Sequence, residues 1–218
     1  MCYTLVGDKM KKRFNNISVT LGLLDYINPL CYTITMIIVL KNICKIIETP
    51  YIILLIGAII SIIFGFVIPT VKVLIGLKKV KFKMPVNLVF TVNSGILLSG
   101  LMLLRYVFGI QILLLLLLLI IVFFLFLVYK KTKKFNTVAV LTGAFGYFMI
   151  YLSLITLSIR SHLILPIIMY AFAIMLFLML CCIGIKANLK NPKVHWIIEI
   201  CNVLCQLLVT IGTFILFN

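Results

Sequence analysis

Acid is scarce in this chain: four Asp and Glu stand against twenty Lys and Arg, and 218 residues contain two histidines and one tryptophan. That scarcity removes several chemistries. A buried His-rich metal centre of an intramembrane hydrolase needs several ligands around one ion, and the widely separated His162 and His195 cannot provide them. No GxSxG, HExxH or Gly-rich phosphate loop occurs. The last hydrophobic segment has no interior lysine, so a retinal Schiff base is excluded too. The expectation is no cofactor and no metal, and the residue supply leans away from an enzyme.

Cysteine gives no framework either. Cys2, Cys31, Cys44, Cys181, Cys182, Cys201 and Cys205 are odd in number and match no zinc, redox or disulfide spacing. They read as small apolar fillers, including Cys201 and Cys205, which share a helix face.

What the chain does have is long apolar runs. Ile112 to Tyr129 carries no charge and is followed at once by Lys130, Lys131, Lys133 and Lys134. As a helix at ~1.5 Å per residue it is ~27 Å long, close to the ~30 Å hydrocarbon core of a bilayer. The chain is 65% hydrophobic with a mean hydropathy of +1.32, well above the roughly 45–50% apolar content of soluble domains. The net charge of +16 does not imply nucleic acid, because the cations lie between apolar stretches and not along one soluble face.

The expected fold is all-α: a single integral membrane domain over 1–218, with a basic segment 1–17 and seven transmembrane helices at about 18–40, 51–71, 86–104, 110–129, 137–159, 163–185 and 194–217. The basic start leads into a span too long for a signal peptide and without a small-residue cleavage site, so the first span is expected to be retained. Lys and Arg in short loops stay on the cytoplasmic side. An N-terminus inside places sixteen cations there: Lys9, Lys11, Lys12, Arg13, Lys72, Lys78, Lys79, Lys81, Lys83, Lys130, Lys131, Lys133, Lys134, Lys186, Lys190 and Lys193. Only Lys41, Lys45, Arg105 and Arg160 remain outside, with the C-terminus. The basic clusters suit anionic headgroups. The abundance of Ile, Leu, Lys and Asn fits an AT-rich genome, so a bacterial plasma membrane is the default location.

Small residues recur every fourth position at Gly57, Ser61 and Gly65, at Gly95 and Ser99, and at Ala139 and Gly143. Each set predicts a groove for close helix approach. The fourth span is large and apolar all round and has little to offer a polar neighbour.

The polar residues are concentrated elsewhere. In the seventh span His195, Glu199, Asn202 and Gln206, continued by Thr210 and Thr213, form one narrow stripe at ~100° per residue. The third span carries Asn87, Thr91, Asn93 and Ser94, and the first Asp25 and Asn28. Counted from the cytoplasmic end, Asp25, Asn93 and Glu199 lie at one level, ~8–12 Å deep. Two carboxylates there are costly unless paired, hydrated or protonated, which predicts a polar pocket bounded by the first, third and seventh spans. Pro29 is expected to kink the first span and free the Asp25 carbonyl. Pro69 should bend the second near Lys72, which is placed to reach a carboxylate by snorkelling.

The leading expectation is binding or transport of a small polar or cationic solute, through Asp25, Asn28, Asn87, Thr91, Asn93, Ser94, Glu199, Asn202 and Gln206, with His195 and Lys72 as accessories. Seven spans permit a 3+1+3 plan with parallel halves and the fourth span as connector. That layout is similar to the small seven-span sugar transporters, with opposite orientation and no sequence repeat between the halves. The alternatives are an intramembrane lipid-modifying or proteolytic enzyme using Glu199 and His195, and a non-catalytic subunit, assembly or immunity protein whose polar stripe binds a membrane-protein partner or a second copy.

Overall fold

The computed structural model of the chain describes residues 18–43, 49–77, 86–109, 111–186 and 192–218. The basic segment 1–17, with Cys2, and Cys44, Lys45, Lys78, Lys79, Lys81, Lys83 and Lys190 lie outside the described residues, as do the side chains of Gln111, Cys181, Cys182, Lys186 and Lys193. The described residues contain helices and no strands. In chain order they are α1 (Val19–Leu24), α2 (Ile27–Ile43), α3 (Thr49–Gly76), α4 (Val86–Phe108), α5 (Gln111–Thr132), α6 (Phe135–Arg160), α7 (Ile164–Lys186) and α8 (Pro192–Phe217). Among the described residues five stretches are long and apolar enough to cross a membrane, as a multi-pass membrane protein requires: Val19–Ile43, Tyr51–Gly76, Val86–Phe108, Thr137–Arg160 and Val194–Phe217.

Helices α3 and α4 run beyond the expected ends, to Gly76 and Phe108. Counting apolar residues stops at the first cation, whereas the backbone hydrogen-bond ladder continues through Lys72 and Arg105, whose long stems tolerate an apolar setting.

The first span is broken, not kinked. Helix α1 is six residues long, starts on a Ser18 side-chain cap and ends at Asp25. Pro29 has no N–H to give the Asp25 carbonyl, and its ring clashes with that carbonyl in a continuous helix. The chain therefore turns at Asp25 and Tyr26 and restarts at Ile27, with Pro29 in the new first turn, where its missing N–H costs nothing. The Asp25 carbonyl is not left free as expected: the Asn28 N–H donates to it at 3.3 Å.

Packing follows chain order around a ring: α1/α2 on α3, α3 on α4, α4 on α6, α6 on α7, α7 on α8, and α8 back on α2. Helix α5 lies outside this ring, against α6 and the edge of α4. The small-residue grooves explain the tightest seams. A Cβ at Gly57 would stand 2.9 Å from the Gly95 carbonyl oxygen, and one at Gly95 would stand 2.7 Å from the Gly57 oxygen. On the other side of α4, Gly100 meets the Gly146 carbonyl, and a Cβ at Gly146 would lie 2.5 Å from the Leu97 nitrogen. The α7–α8 seam is polar, with Tyr170 donating to Thr213 (3.2 Å) and Cys205 Sγ to the Ala173 carbonyl (3.3 Å). Thr35 and Thr210 hydroxyls, 3.0 Å apart, join α2 to α8.

The surface is the inverse of a soluble one. Ile37, Ile63, Ile120, Phe123, Phe126, Met175 and Phe214 are among many large apolar side chains left exposed, which lipid accepts and water does not.

Candidate functional site

Three helices bring one cation and two acids together. The break after α1 turns Asp25 inward, and Gly22, one turn earlier, lets α1 lie directly on α3. A Cβ there would be 3.0 Å from the Val73 nitrogen and 3.3 Å from the Lys72 carbonyl carbon. Gly76 does the same against Val19. Lys72, on the α3 turn that follows Pro69, is thereby held against Asp25. Its Nζ lies 2.6 Å from Asp25 Oδ2 and 2.7 Å from Glu199 Oε1. Glu199 reaches it from the polar stripe of α8.

All three groups are shielded: Asp25 is 7% and Glu199 9% exposed, and the Lys72 side chain 15%. Asn28 Nδ2 donates to the other Asp25 oxygen at 2.9 Å. When all three groups are ionised, two carboxylates and one ammonium leave one negative charge in surplus. In an apolar interior that surplus is expensive, so the cluster can take up one more positive charge.

A second polar zone adjoins the cluster. Tyr32, one turn after Asn28, is buried beside Ser99 of α4 and Ser61 of α3. Its ring meets Tyr147 edge-on at 6.4 Å, and Tyr147 packs on Tyr151 and Phe177 at 5.9 Å each. Gln206 of α8, 4% exposed, lies beside Tyr147. Ser61 donates to the Gly57 and Val92 carbonyls. Three buried polar atoms in this zone, Asn28 Oδ1, Tyr32 Oη and Ser99 Oγ, have no hydrogen-bond partner among the described residues.

The structure therefore gathers Asp25, Asn28, Glu199 and Lys72 at one point and sets Gln206 further along α8, beside Tyr147. Asn202 and His195 are half-buried on the same helix. The α4 residues singled out by spacing go elsewhere. Asn93 donates to the Ala139 carbonyl at 2.7 Å and fills the space over Gly143. Asn87 is exposed, Thr91 bonds back to the Asn87 carbonyl, and Ser94 is half-buried. The charged cluster is thus bounded by α1/α2, α3 and α8, the first, second and seventh expected spans. The α4 contribution to the polar interior comes from Ser99 instead.

Lys72 was expected as an accessory that reaches a carboxylate by snorkelling, and Tyr32 and Ser99 were not picked out as site residues. One signal was available for the lysine: two buried acids need a cation, and Lys72 is the one that a proline turn carries into a span. No group of three His, Cys, Asp or Glu able to hold a metal occurs among the described residues. Set beside known protein families, curated proteins and solved structures, the chain matches none of them.

Proposed function

We propose that the chain is a seven-span membrane protein, with α5 and α7 crossing alongside the five long apolar stretches, that binds a small polar or cationic solute at the Asp25–Lys72–Glu199 cluster and carries it across the bilayer. One observation carries this reading: three ionisable side chains, far apart in sequence, meet inside an otherwise apolar bundle. Ionisable groups at such depth cost several kcal/mol. Apolar packing would hold the helices together as well or better, so stability is a poor reason for them.

The packing order supports the 3+1+3 plan. The helices before and after α5 form the two arcs of one ring, and α5 lies outside it as the connector. The Lys and Arg distribution supports a cytoplasmic N-terminus in a plasma membrane. A transport role is favoured over a partner-binding stripe because the outward residues of α8 are Ile197, Ile200, Leu204, Leu207, Ile211 and Phe214, while its polar face is engaged within the ring. An enzyme using Glu199 and His195 is disfavoured because Glu199 is held by Lys72 at 2.7 Å.

Uptake of labelled polar and cationic solutes into proteoliposomes, wild type against Glu199→Gln, tests the reading. Loss of the charge should lower flux of the transported solute by about tenfold or more, as loss of ~1.4 kcal/mol of binding implies. Equal flux by both proteins across a broad panel, with normal insertion, overturns it.

A further inference from the structure

The Asp25–Lys72–Glu199 cluster has a charge count that its own residues do not close. Fully ionised it carries one negative charge too many; one added positive charge makes it neutral, and a second would make it charged again. The cluster therefore takes one such charge and not two. The position between the acids is already filled by the Lys72 ammonium, at 2.6 and 2.7 Å. A hard metal ion takes about six oxygen ligands, and the acid oxygens that face Lys72 are already engaged. A proton adds no volume and needs one lone pair.

The two acids are not equivalent. Asp25 receives an N–H on each oxygen, from Asn28 Nδ2 at 2.9 Å on Oδ1 and from Lys72 on Oδ2. Glu199 receives Lys72 on Oε1. N–H donors stabilise the ionised form, so Asp25 keeps the charge and Oε2 of Glu199 is the place for a proton. The charged groups that α1 and α3 turn towards Glu199 are Asp25 and Lys72. What α2, α6 and α7 bring to α8 is a thiol and three phenols, Cys31, Tyr147, Tyr151 and Tyr170, all uncharged at neutral pH. They meet α8 from Cys205 onward, more than a turn beyond Glu199. On α8 itself His195 stands one turn before Glu199 and Cys201 just after it. Nor is the cluster sealed: the side chains of Asp25, Glu199 and Lys72 stay 9%, 11% and 15% exposed.

We propose that the cluster is a site for a single proton, accepted by Glu199 against the charges of Asp25 and Lys72, and that this proton is the coupling ion for the solute. The site stands on the geometry of the cluster, while its coupling role rests on the solute-transport reading above. A cationic solute and the proton satisfy the same surplus charge, so each excludes the other. Glu199 gives its O–H proton to water as the solute arrives and regains one as the solute leaves. Lys72 keeps its three protons throughout. One proton moves against each monovalent cation, and no net charge crosses the bilayer.

Infrared titration of the full chain in nanodiscs, with no solute added, tests this, because a protonated carboxyl absorbs apart from a carboxylate and from imidazole, thiol and phenol groups. As pH falls through neutrality, still above the ~4 at which a carboxyl in water titrates, one carboxyl band should appear in wild type. Glu199→Gln should abolish it. Asp25→Asn removes the surplus charge and leaves the glutamate in place, so there the band should move to lower pH by about one unit or more, a tenfold loss of proton affinity. A glutamate that titrates on its own would ignore that change. Absence of the band in this range overturns the proposal, and so does a band that survives Glu199→Gln or that Asp25→Asn leaves unmoved. If the band is absent yet Glu199-dependent uptake of a solute is seen, the coupling ion is wrong and the transport reading stands. If the band behaves as described but no solute is carried under an imposed pH gradient, transport is wrong and the proton site stands without its coupling role.

Discussion

Lys72→Met removes the cation that joins Asp25 to Glu199 and keeps its length and apolar stem. The two carboxylates are then left facing each other. Since one nitrogen touches both at 2.6 and 2.7 Å, their oxygens are no more than about 5 Å apart. At that distance, with an effective dielectric near 20, two negative charges repel by about 3 kcal/mol. That agrees with the roughly 3–5 kcal/mol lost when one partner of a buried ion pair is removed. In a chain of this size each kcal/mol moves the midpoint by roughly 2–4 °C, so the variant should melt roughly 6–20 °C below wild type at neutral pH. Thermal unfolding of the detergent-solubilised chain can be followed through its single tryptophan, Trp196, three residues before Glu199. Acidification, which neutralises carboxylates, should shrink the deficit, and adding Glu199→Gln to Lys72→Met should recover most of it. A Lys72→Met protein that melts within about 2 °C of wild type at neutral pH would refute the claim that these charges are held in a low-dielectric interior.

Two further outcomes are expected. Gly146→Ala places a methyl 2.5 Å from the Leu97 nitrogen, a backbone atom that cannot step aside, so it should destabilise the α4–α6 pair by about 1–3 kcal/mol; an unchanged melting curve contradicts that contact. In a cysteine-free background, Lys130→Cys should react with an impermeant maleimide only from the cytoplasmic side and Arg160→Cys only from the opposite side. Labelling of both from one side would dismantle the seven-span topology.

The sequence is most legible where one property repeats. Apolar length marked the helices, and fourth-residue spacing marked the Gly57/Ser61 and Gly95/Ser99 grooves that the structure packs face to face. The polar stripe of α8 was equally plain, because a helix fixes the azimuths of its own residues relative to one another. What spacing does not contain is the azimuth of one helix relative to the next. Asn93 was expected at the depth of Asp25 and Glu199 but points at α6, where the small Ala139 and Gly143 leave room for an amide as readily as for a backbone. Lys72 was placed at the edge of its span because apolar counting ends at a charge. The proline effect was assigned to the right carbonyl with the wrong outcome: Asn28 reaches the Asp25 oxygen once the helix restarts. Tyr32 and Ser99 carried no pattern, since a lone hydroxyl among apolar neighbours is commonplace in spans.

A single ammonium grips two acids that belong to opposite ends of the chain, one at the hinge between α1 and α2 and one on the last helix. Any rearrangement that draws those ends apart must let go of one of them, and the amine, at the tip of a four-carbon tether, then travels with whichever side keeps it. Were the bundle to open there, the weaker grip would set the direction. Asp25 has a second partner in Asn28 to hold it in place.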